Sequence, residues 1–504
     1  MSKKILFLAH ENEVDHSIAI AAKLEKMGHH IDFFVCDFFS YFSKNYVYEQ
    51  IKSQNFKINN IFNINNELKE ILDIKKNQDI KVNWEYLRNF EKKLENPFIV
   101  KNIYNDFTFN EIYSPRDYYS LPENKNISFK LIELLCKKIE SINIENYDLI
   151  YSTSTTNFCR NIIADLAENK KIPILSIIER FYQTAYIQDT YFKKMPKYFK
   201  FFFDNFEKSN IFLHNFTREK PVINPKHQFI FKNLIQNLLV IIKDNFRVDY
   251  LIKEHFRLKN ISKNGYFFIK SFFFVKYTTI RENVRNYRIY KLCNKDIKNK
   301  IKDLPNYKYI YFPLHLTPES GVMNHKKFMD ELFYIQILSK ILPVDYKIVV
   351  KPNPYSFKNY MNQYPYERYL KISKIPNVVM VGPDVEANFL IKNSKAVITI
   401  SGSSSIEALF FKKPGFIFAN TEFDSVKGIF IFDEKTFMKI IDEWTPKLFN
   451  QESLHNYINN ILFYGLDEIS ENIIYPSAAI KKDSKKVDLI NDKIVKLIND
   501  NYLR

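Results

Sequence analysis

The stretch Ala396–Glu407 reads AVITISGSSSIE, and its pattern decides how the rest of the chain is interpreted. Residues 396–400 are apolar or β-branched, which predicts a buried parallel strand. A serine-rich turn follows at 401–405, and the run IEALFF after it predicts the start of a helix. Backbone N–H groups, serine hydroxyls and the positive end of a helix then meet at one point, which suits phosphate binding. The alternative is an ordinary turn with an N-cap serine.

Strands followed by polar residues recur around this stretch. The predicted strands are Tyr309–Phe312, Tyr346–Val350, Val378–Val381, Ala396–Ile400 and Phe416–Ala419. Ligands of open parallel sheets bind outside the carboxyl ends of the strands. The candidate binding residues at these ends, with one in the following helix, are His315, Glu319, Lys351, Asn353, Ser401, Gly402, Ser403, Ser404, Ser405 and Glu407.

The chemistry of these side chains suits a nucleotide. Lys351 can meet a phosphate as a point charge, and Gly402 lets the backbone approach a ligand closely. The carboxylate of Glu407 can accept hydrogen bonds from two ribose hydroxyls. The sequence therefore predicts a pocket for a nucleoside monophosphate or diphosphate, assembled from separate strands of one domain.

The N-terminal half predicts a second sheet of the same class. Lys4–Ala9 and Ile31–Cys36 are predicted strands, with a helix between them that ends at Lys26. This βαβ opening is typical of doubly wound α/β domains. No GxGxxG is present, so the nicotinamide fingerprint is absent. Further strands are predicted at 149–152 and 172–178.

These strands and the chain length predict an α/β protein of several domains. We predict an N-terminal Rossmann-like domain at 1–185, with a mostly helical insertion at 38–145, and a helical, aromatic connector at 186–304. A second Rossmann-like domain is predicted at 305–480. The amphipathic helix at 481–504 is expected either to pack back across the domain boundary or to be a plain terminal helix.

Composition restricts the expected partners. The 504 residues are 46% apolar and 26% charged, as in a folded globular protein. The net charge of +17 suits anionic partners such as sugar nucleotides or an anionic membrane face, or else reflects a solvated basic surface. No arginine-rich block or nucleic-acid-binding module occurs, so nucleic acid is not expected as a partner.

The cysteines and the hydropathy pattern favour a cytoplasmic protein. Cys36, Cys136, Cys159 and Cys293 form no CxxC pair or zinc-spaced cluster, so free thiols and no metal are expected. Neither a signal peptide nor an uncharged apolar stretch of about 18 residues is found, so no membrane span is expected. The aromatic, basic region 181–300 is interpreted as core, with peripheral binding to the inner membrane as the alternative.

The C-terminal half resembles the glycosyltransferases of capsule and surface polysaccharide biosynthesis that have the GT-B fold. The matching segments are YFPLHLTPES at 311–320, VVKPNP at 349–354, NVVMVGPD at 377–384 and AVITISGSSSIEALFFKKPGFIF at 396–418. The resemblance implies two facing Rossmann-like domains, with a nucleotide-sugar donor on the C-terminal one as co-substrate and no separate cofactor. Kdo (3-deoxy-manno-octulosonate) transferases, which use CMP-linked donors, are similar, as are teichoic-acid-type glycerophosphotransferases with CDP-linked donors.

One position departs from the family pattern. The second motif of the family usually ends in His-Pro, with the histidine on the donor phosphate, whereas this chain has Asn353-Pro354. Asparagine can donate a hydrogen bond but carries no charge. Lys351 is therefore expected to supply the positive charge.

The resemblance predicts a metal-independent glycosyltransferase that moves a sugar from a CMP-Kdo-like donor to a growing polysaccharide or glycolipid. The alternatives are a CDP-glycerol-type glycerophosphotransferase or a sugar-nucleotide epimerase on the same fold, and a non-catalytic assembly protein. For the transferase, the N-terminal domain would provide the acceptor side and the catalytic group.

Four polar residues of the N-terminal half are candidates for that group. His10 and Glu11 follow the first predicted strand, and Glu179 follows the strand at 172–178. Asp117 lies in YSPRDYY, which either reaches the cleft or is a surface turn. A base would deprotonate the acceptor hydroxyl, whereas a carboxylate nucleophile would attack the donor carbon. Each residue also has a purely structural interpretation.

Overall fold

The computed structural model describes residues 2–10, 14–36, 46–74, 80–95, 99, 125–152, 157–179, 185–188, 284–315, 331–357, 366–446, 452–454, 457 and 484–503. The chain divides into two compact units. Unit 1 comprises Met1–Glu111, Tyr119–Phe212 and His455–Arg504, and unit 2 comprises Ile112–Tyr118 and Leu213–Leu454.

Unit 1 is built on a mostly parallel sheet. In chain order its elements are β1 (Lys4–Ala9), α1 (Val14–Lys26), β2 (His30–Val35), α2 (Tyr46–Lys52), β3 (Asn60–Asn63), α3 (Asn65–Ile74), α4 (Trp84–Glu91), α5 (Lys125–Ile142), β4 (Leu149–Tyr151), α6 (Phe158–Asn169), β5 (Ile174–Glu179) and β6 (Ala185–Gln188). The strand order is β3-β2-β1-β4-β5-β6, and β6 runs antiparallel to β5. Strand order reverses between β1 and β4, as in doubly wound folds.

Unit 2 has a parallel sheet of the same order. After a helical segment at 284–293 come α7 (Ile297–Asp303), β7 (Lys308–Pro313), α8 (Glu331–Ile341), β8 (Tyr346–Lys351), α9 (Tyr366–Ser373), β9 (Val378–Met380), α10 (Ala387–Asn393), β10 (Ala396–Thr399), α11 (Ser404–Phe410), β11 (Gly415–Ile417), β12 (Ile429–Ile431) and α12 (Glu434–Glu443). The strand order is β9-β8-β7-β10-β11-β12. Strand order here reverses between β7 and β10, which places the ligand crevice of such a sheet at that point.

The central strands form because both of their faces are apolar. Residues 5–9 of β1 and all of β10 are buried, so each side of each sheet packs on helices. Core clusters lie on both faces in each unit. The predicted α/β class with parallel Rossmann-like sheets is confirmed, and the facing arrangement implied by the resemblance stays a prediction.

Strands at the sheet edges were harder to predict. The described part of the insertion predicted to be mostly helical over 38–145 contains α2 to α5, together with the strand β3 (Asn60–Asn63), which was not predicted. The connector predicted from residue 186 likewise overlaps β6, and β12 was not predicted. The residues of β3 are exposed or half-buried, and an edge strand of this kind does not need the continuous apolar run that marks a central strand in the sequence. Of the aromatic, basic region 181–300, the structure describes only residues 185–188 and 284–300.

The amino edge of the unit 1 sheet is fixed by a buried carboxylate. Asp32 of β2 is fully buried and accepts hydrogen bonds from Tyr147 Oη at 2.6 Å and Asn60 Nδ2 at 3.0 Å. Lys4 Nζ of β1 lies 3.6 Å from Asp32 Oδ2. Burial, and then the hydrogen bond to Asp32, raise the pKa of Tyr147, so its hydroxyl remains a donor. One carboxylate thus links β1, β2 and β3.

The C-terminal helix (Ser484–Ile498) belongs to unit 1. Ile494, Val495 and Ile498 join the apolar cluster that contains residues of α1, and Asp492 Oδ1 lies 2.7 Å from Lys23 Nζ. Asn491 is buried among these residues, and neither of its side-chain amide atoms has a hydrogen-bond partner. Such a group costs about 1–3 kcal/mol of folding free energy.

Replacing the buried carboxylate should destabilise unit 1. We expect Asp32→Ala to lower the free energy of unfolding by about 3 kcal/mol, because the buried hydroxyl of Tyr147 and the side-chain amide of Asn60 lose their acceptor. The measurement is the unfolding midpoint by scanning calorimetry. Glu145→Ala, which removes a solvent-exposed pair with Lys170, is the control and should change the free energy by about 0–1 kcal/mol. Equal midpoints for the two variants would contradict the role of Asp32.

Replacing the unpaired asparagine should stabilise the docking of the C-terminal helix. We expect Asn491→Leu to raise the free energy of unfolding by about 1–3 kcal/mol, because an unsatisfied polar group is exchanged for an apolar one of similar volume. Thermal unfolding would measure the gain, with Asp492→Ala as a surface control on the same helix. A lower midpoint for Asn491→Leu would show that the amide is satisfied.

Candidate functional site

The predicted binding residues of unit 2 follow adjoining strands. Pro313 of β7 pairs with Lys351 of β8, and Tyr311 of β7 pairs with Val397 of β10. The carboxyl ends of β8, β7 and β10 therefore lie side by side at the reversal of strand order. His315, Lys351 and the serine turn all lie at this edge, which we call the unit 2 rim.

His315 is held in one orientation at the rim. Its backbone N–H donates to Glu331 Oε1 at 2.7 Å, and its ring Nε2 lies 2.7 Å from Thr399 Oγ1. The residue is 9% exposed. Thr399 Oγ1 also accepts a hydrogen bond from the N–H of Gly402 at 3.2 Å. The hydroxyl of Thr399 thus fixes the histidine ring and the start of the serine turn together.

Gly402 is needed because the turn touches the histidine. A Cβ at this position would stand 2.8 Å from Thr399 Oγ1 and 3.1 Å from His315 Cε1. Such distances are shorter than normal contacts, so any side chain would displace one of the two groups. The group that the backbone of Gly402 approaches closely is the ring of His315. The predicted close approach to a ligand stays a prediction.

The serine turn is not an ordinary N-cap. Ser403 occupies the N-cap position with φ −58° and ψ −18°, and its side chain makes no capping hydrogen bond. Its Oγ instead donates to Glu407 Oε1 at 3.0 Å, while Ser405 Oγ donates to the carbonyl of Gly402 at 2.8 Å. Ser401–Ser404 are half-buried, so the turn remains accessible at the rim.

Lys351 brings a buried positive charge to the rim. It ends β8 and is 5% exposed, and its carbonyl accepts a hydrogen bond from the N–H of Leu314 at 2.8 Å. Asn353 follows it, half-buried, and its carbonyl accepts from the N–H of Ser356 at 3.0 Å. A cation at this depth attracts an anion strongly, because the surroundings screen it less than water does.

Glu407 lies deeper than the sequence suggests. The prediction places Glu407 just inside the helix that follows the serine turn, where its carboxylate could hold a ribose. In the structure Glu407 is 7% exposed and already accepts the hydrogen bond from Ser403. It faces the buried Tyr311, whose pKa is raised by burial and then by the Glu407 charge. A ribose at this carboxylate would therefore replace or share the contact with Ser403.

The loop after β11 adds residues that the sequence analysis did not assign. The N–H of Phe418 donates to the carbonyl of Thr399 at 3.1 Å, which brings this loop alongside β10. Thr421 is buried and its Oγ1 has no hydrogen-bond partner, and Glu422 is also buried. Burial, and then the Glu422 charge, raise the pKa of Asp424. The signal for this loop was the polar run NTE directly after a predicted strand.

The catalytic candidates lie in unit 1 or outside the described residues. His10 directly follows β1 and is half-buried. Glu179 is the last residue of β5 and pairs with Ala185 of β6, so it lies within the strand and not after it. Strand β4 separates β1 from β5, so His10 and Glu179 share one sheet edge, two strands apart. Glu11, Asp117 and Glu319 lie outside the described residues.

Neither a metal-binding cluster nor a membrane-spanning helix occurs among the described residues. No group of three or more His, Cys, Asp or Glu side chains in those ranges is arranged to hold a metal ion. In the same ranges, no helix has the length and apolar character needed to cross a membrane. All four cysteines are buried free thiols.

Comparisons with known proteins show no match to any family model and none to a curated protein. Among solved structures, a UDP-GlcNAc 2-epimerase from Methanocaldococcus jannaschii is 14% identical, with 92% of this chain and 100% of that chain covered and a TM-score of 0.23. The S. aureus MnaA–UDP structure is 13% identical, with 99% and 96% covered and a TM-score of 0.24. A β-Kdo 2,4-transferase, KpsC from Thermosulfurimonas dismutans, is 10% identical, with 62% and 79% covered and a TM-score of 0.26. Likenesses at this level fix neither substrate nor reaction.

Proposed function

We propose that the chain is a glycosyltransferase that transfers a sugar from a nucleotide-activated donor to a surface polysaccharide or glycolipid. The observation that supports this proposal is the grouping of His315, Lys351, Ser403 and Glu407 at one sheet edge, where strand order reverses. Together these residues offer a cation, hydroxyl and N–H donors, and a carboxylate. Phosphate and ribose are the two parts of a nucleotide that such groups bind.

The donor phosphate would lie between Lys351 and the serine turn. The ammonium group neutralises the phosphate, and the N–H groups and hydroxyls of Ser403 and Ser404 donate hydrogen bonds to it. The same contacts stabilise the nucleotide as it leaves with additional negative charge. Lys351 thereby supplies the charge that Asn353 lacks at the position where the resembling family has histidine.

The other two parts of the donor would lie on either side of this phosphate. Glu407 would accept hydrogen bonds from the ribose hydroxyls, with Ser403 turning its hydroxyl toward the phosphate. The buried hydroxyl of Thr421 and the carboxylate of Glu422 would meet hydroxyls of the transferred sugar.

The N-terminal half of the chain would provide the acceptor side and the reacting group. If His10 acts as a base, it removes the proton of the acceptor hydroxyl while that oxygen bonds to the donor carbon and the nucleotide leaves, which inverts configuration. If Glu179 attacks the donor carbon first, the nucleotide leaves and the sugar is bonded to the carboxylate. The acceptor hydroxyl then loses its proton and displaces the carboxylate, so the configuration is retained. Glu11 and Asp117 stay candidates for the same two roles.

A CMP-Kdo-like donor is the form that the resemblance favours. A CDP-glycerol-type donor would use the same phosphate and ribose contacts, and it would transfer phosphoglycerol instead of sugar. Incubation with a radiolabelled CMP-linked sugar and a capsular acceptor tests the transferase. Label in the polysaccharide supports the transferase. In a parallel incubation with a labelled CDP-linked glycerol donor, transfer of phosphoglycerol from that donor alone would replace the transferase with the phosphotransferase.

Lys351 should determine the affinity for phosphate. We expect Lys351→Met to weaken CMP binding roughly 10-fold to 100-fold, because a charge-assisted hydrogen bond worth about 1.5–3 kcal/mol is lost. Isothermal calorimetry measures the affinity. Lys347→Met, on the same strand but half-exposed, is the matched control and should bind CMP as the wild type does. Unchanged affinity in Lys351→Met would remove the phosphate from this place.

Glu407 should let the protein distinguish ribose from deoxyribose. We expect the wild type to bind CMP about tenfold more tightly than 2′-deoxy-CMP, and Glu407→Ala to bind both equally, because one hydrogen bond to a charged group is worth about 1.5–3 kcal/mol. Glu443→Ala, in the exposed part of α12, is the control. Discrimination that persists in Glu407→Ala would place the ribose elsewhere.

A further inference from the structure

The side chain of Thr399 ends β10 and is fully buried. Its Oγ1 lies 2.7 Å from His315 Nε2 and accepts a hydrogen bond from the N–H of Gly402 at 3.2 Å. Within the described part of the chain, this hydroxyl has hydrogen bonds to these two groups alone. Since the N–H of Gly402 is a donor, the ring nitrogen of His315 is the one acceptor there for the hydroxyl proton of Thr399.

This count of donors and acceptors bears on where the histidine ring carries its proton. A neutral imidazole has one N–H donor and one acceptor nitrogen, whereas a charged one has two donors. A ring with a proton on Nε2, neutral or charged, would leave the buried hydroxyl proton of Thr399 without an acceptor, which costs folding free energy. The arrangement that satisfies every group has Nε2 of His315 as the acceptor and the ring proton on Nδ1.

One edge of the histidine ring lies against the start of the serine turn. A Cβ on Gly402 would stand 3.1 Å from His315 Cε1 and 3.4 Å from its Nε2, so these two ring atoms face the turn. In an imidazole ring Cε1 is bonded to both nitrogens, so Nδ1 follows directly along this edge. A phosphate at the N–H groups of Ser403 and Ser404, as proposed above, would have the Nδ1–H group as a neighbour.

We infer that Thr399 is a positioning residue: its hydroxyl donates to His315 Nε2, and the ring thereby donates from Nδ1 to an oxygen of the donor phosphate. This inference rests on the proposed nucleotide site and adds a neutral N–H donor to it. The ligand group is anionic oxygen, to which an N–H group makes a charge-assisted hydrogen bond. Because the same hydroxyl holds the N–H of Gly402, one side chain aligns the ring with the serine turn.

Nitrogen NMR tests the proton assignment without any ligand. The protein would be labelled with 15N-histidine and measured at about pH 8.5, where histidine is ordinarily neutral. The signals of His315 are those that disappear in His315→Ala. We expect an unprotonated Nε2 and a protonated Nδ1 in the wild type and in Thr399→Ser, which keeps the hydroxyl. Thr399→Val has a similar shape but no hydroxyl, so its ring should populate both tautomers.

Calorimetry with CMP and cytidine tests the contact with phosphate. We expect Thr399→Val to bind CMP about tenfold more weakly than the wild type, because a hydrogen bond to a charged group is impaired. Cytidine lacks the phosphate, so its affinity should not change. Thr399→Ser should bind CMP as the wild type does. In a His315→Ala background, Thr399→Val should cause little further loss, because the threonine acts through the ring.

The outcomes separate the two proposals. A proton on Nε2 of His315 in the wild type overturns the role of Thr399, and this measurement does not depend on the folding of any threonine variant. The same conclusion follows if folded Thr399→Val keeps the wild-type tautomer or full CMP affinity, or if its loss of affinity persists in His315→Ala. In each of these cases the nucleotide site stands. If CMP does not bind the folded wild type, the nucleotide site fails and the inference fails with it.

Discussion

The hydrogen bond between His315 Nε2 and Thr399 Oγ1 joins the loop that follows β7 to the last residue of β10. These strands adjoin where the order of the unit 2 sheet reverses, so their following loops diverge to opposite faces and leave a crevice. The threonine hydroxyl also holds the N–H of Gly402, which sets the position of the serine turn. Removal of this one hydroxyl would take one hydrogen bond from the histidine ring and one from the turn.

Several polar residues at or near the carboxyl edge of the unit 2 sheet are buried. Lys351, Glu407, Thr421 and Glu422 are each nearly inaccessible, although they lie at the ends of strands or just beyond. Burying such groups costs folding free energy unless they are paired, and clusters of them are more common at functional sites than elsewhere in proteins. The stability of the two units comes instead from the apolar clusters on both faces of each sheet.

The sequence predicted which residues lie at the rim better than how deeply they are buried and what they contact. Buried parallel strands are continuous apolar runs, and the residue after such a run must lie at the carboxyl edge, so His315, Lys351 and the serine turn could be placed. The depth of Glu407 depends on its packing beside Tyr311, and the contact of Asn294 with Gly382 joins residues 88 positions apart. Such contacts between distant residues leave no periodic signal. Short edge strands such as β3 were missed because they lack an apolar run.

A crystal structure of the protein with bound CMP would test the nucleotide site most directly. The proposed site predicts the phosphate within hydrogen-bonding distance of Lys351 Nζ and of the N–H groups of Ser403 and Ser404, and the ribose hydroxyls at Glu407. A nucleotide bound at any other edge of the unit 2 sheet, or in unit 1 alone, would contradict it.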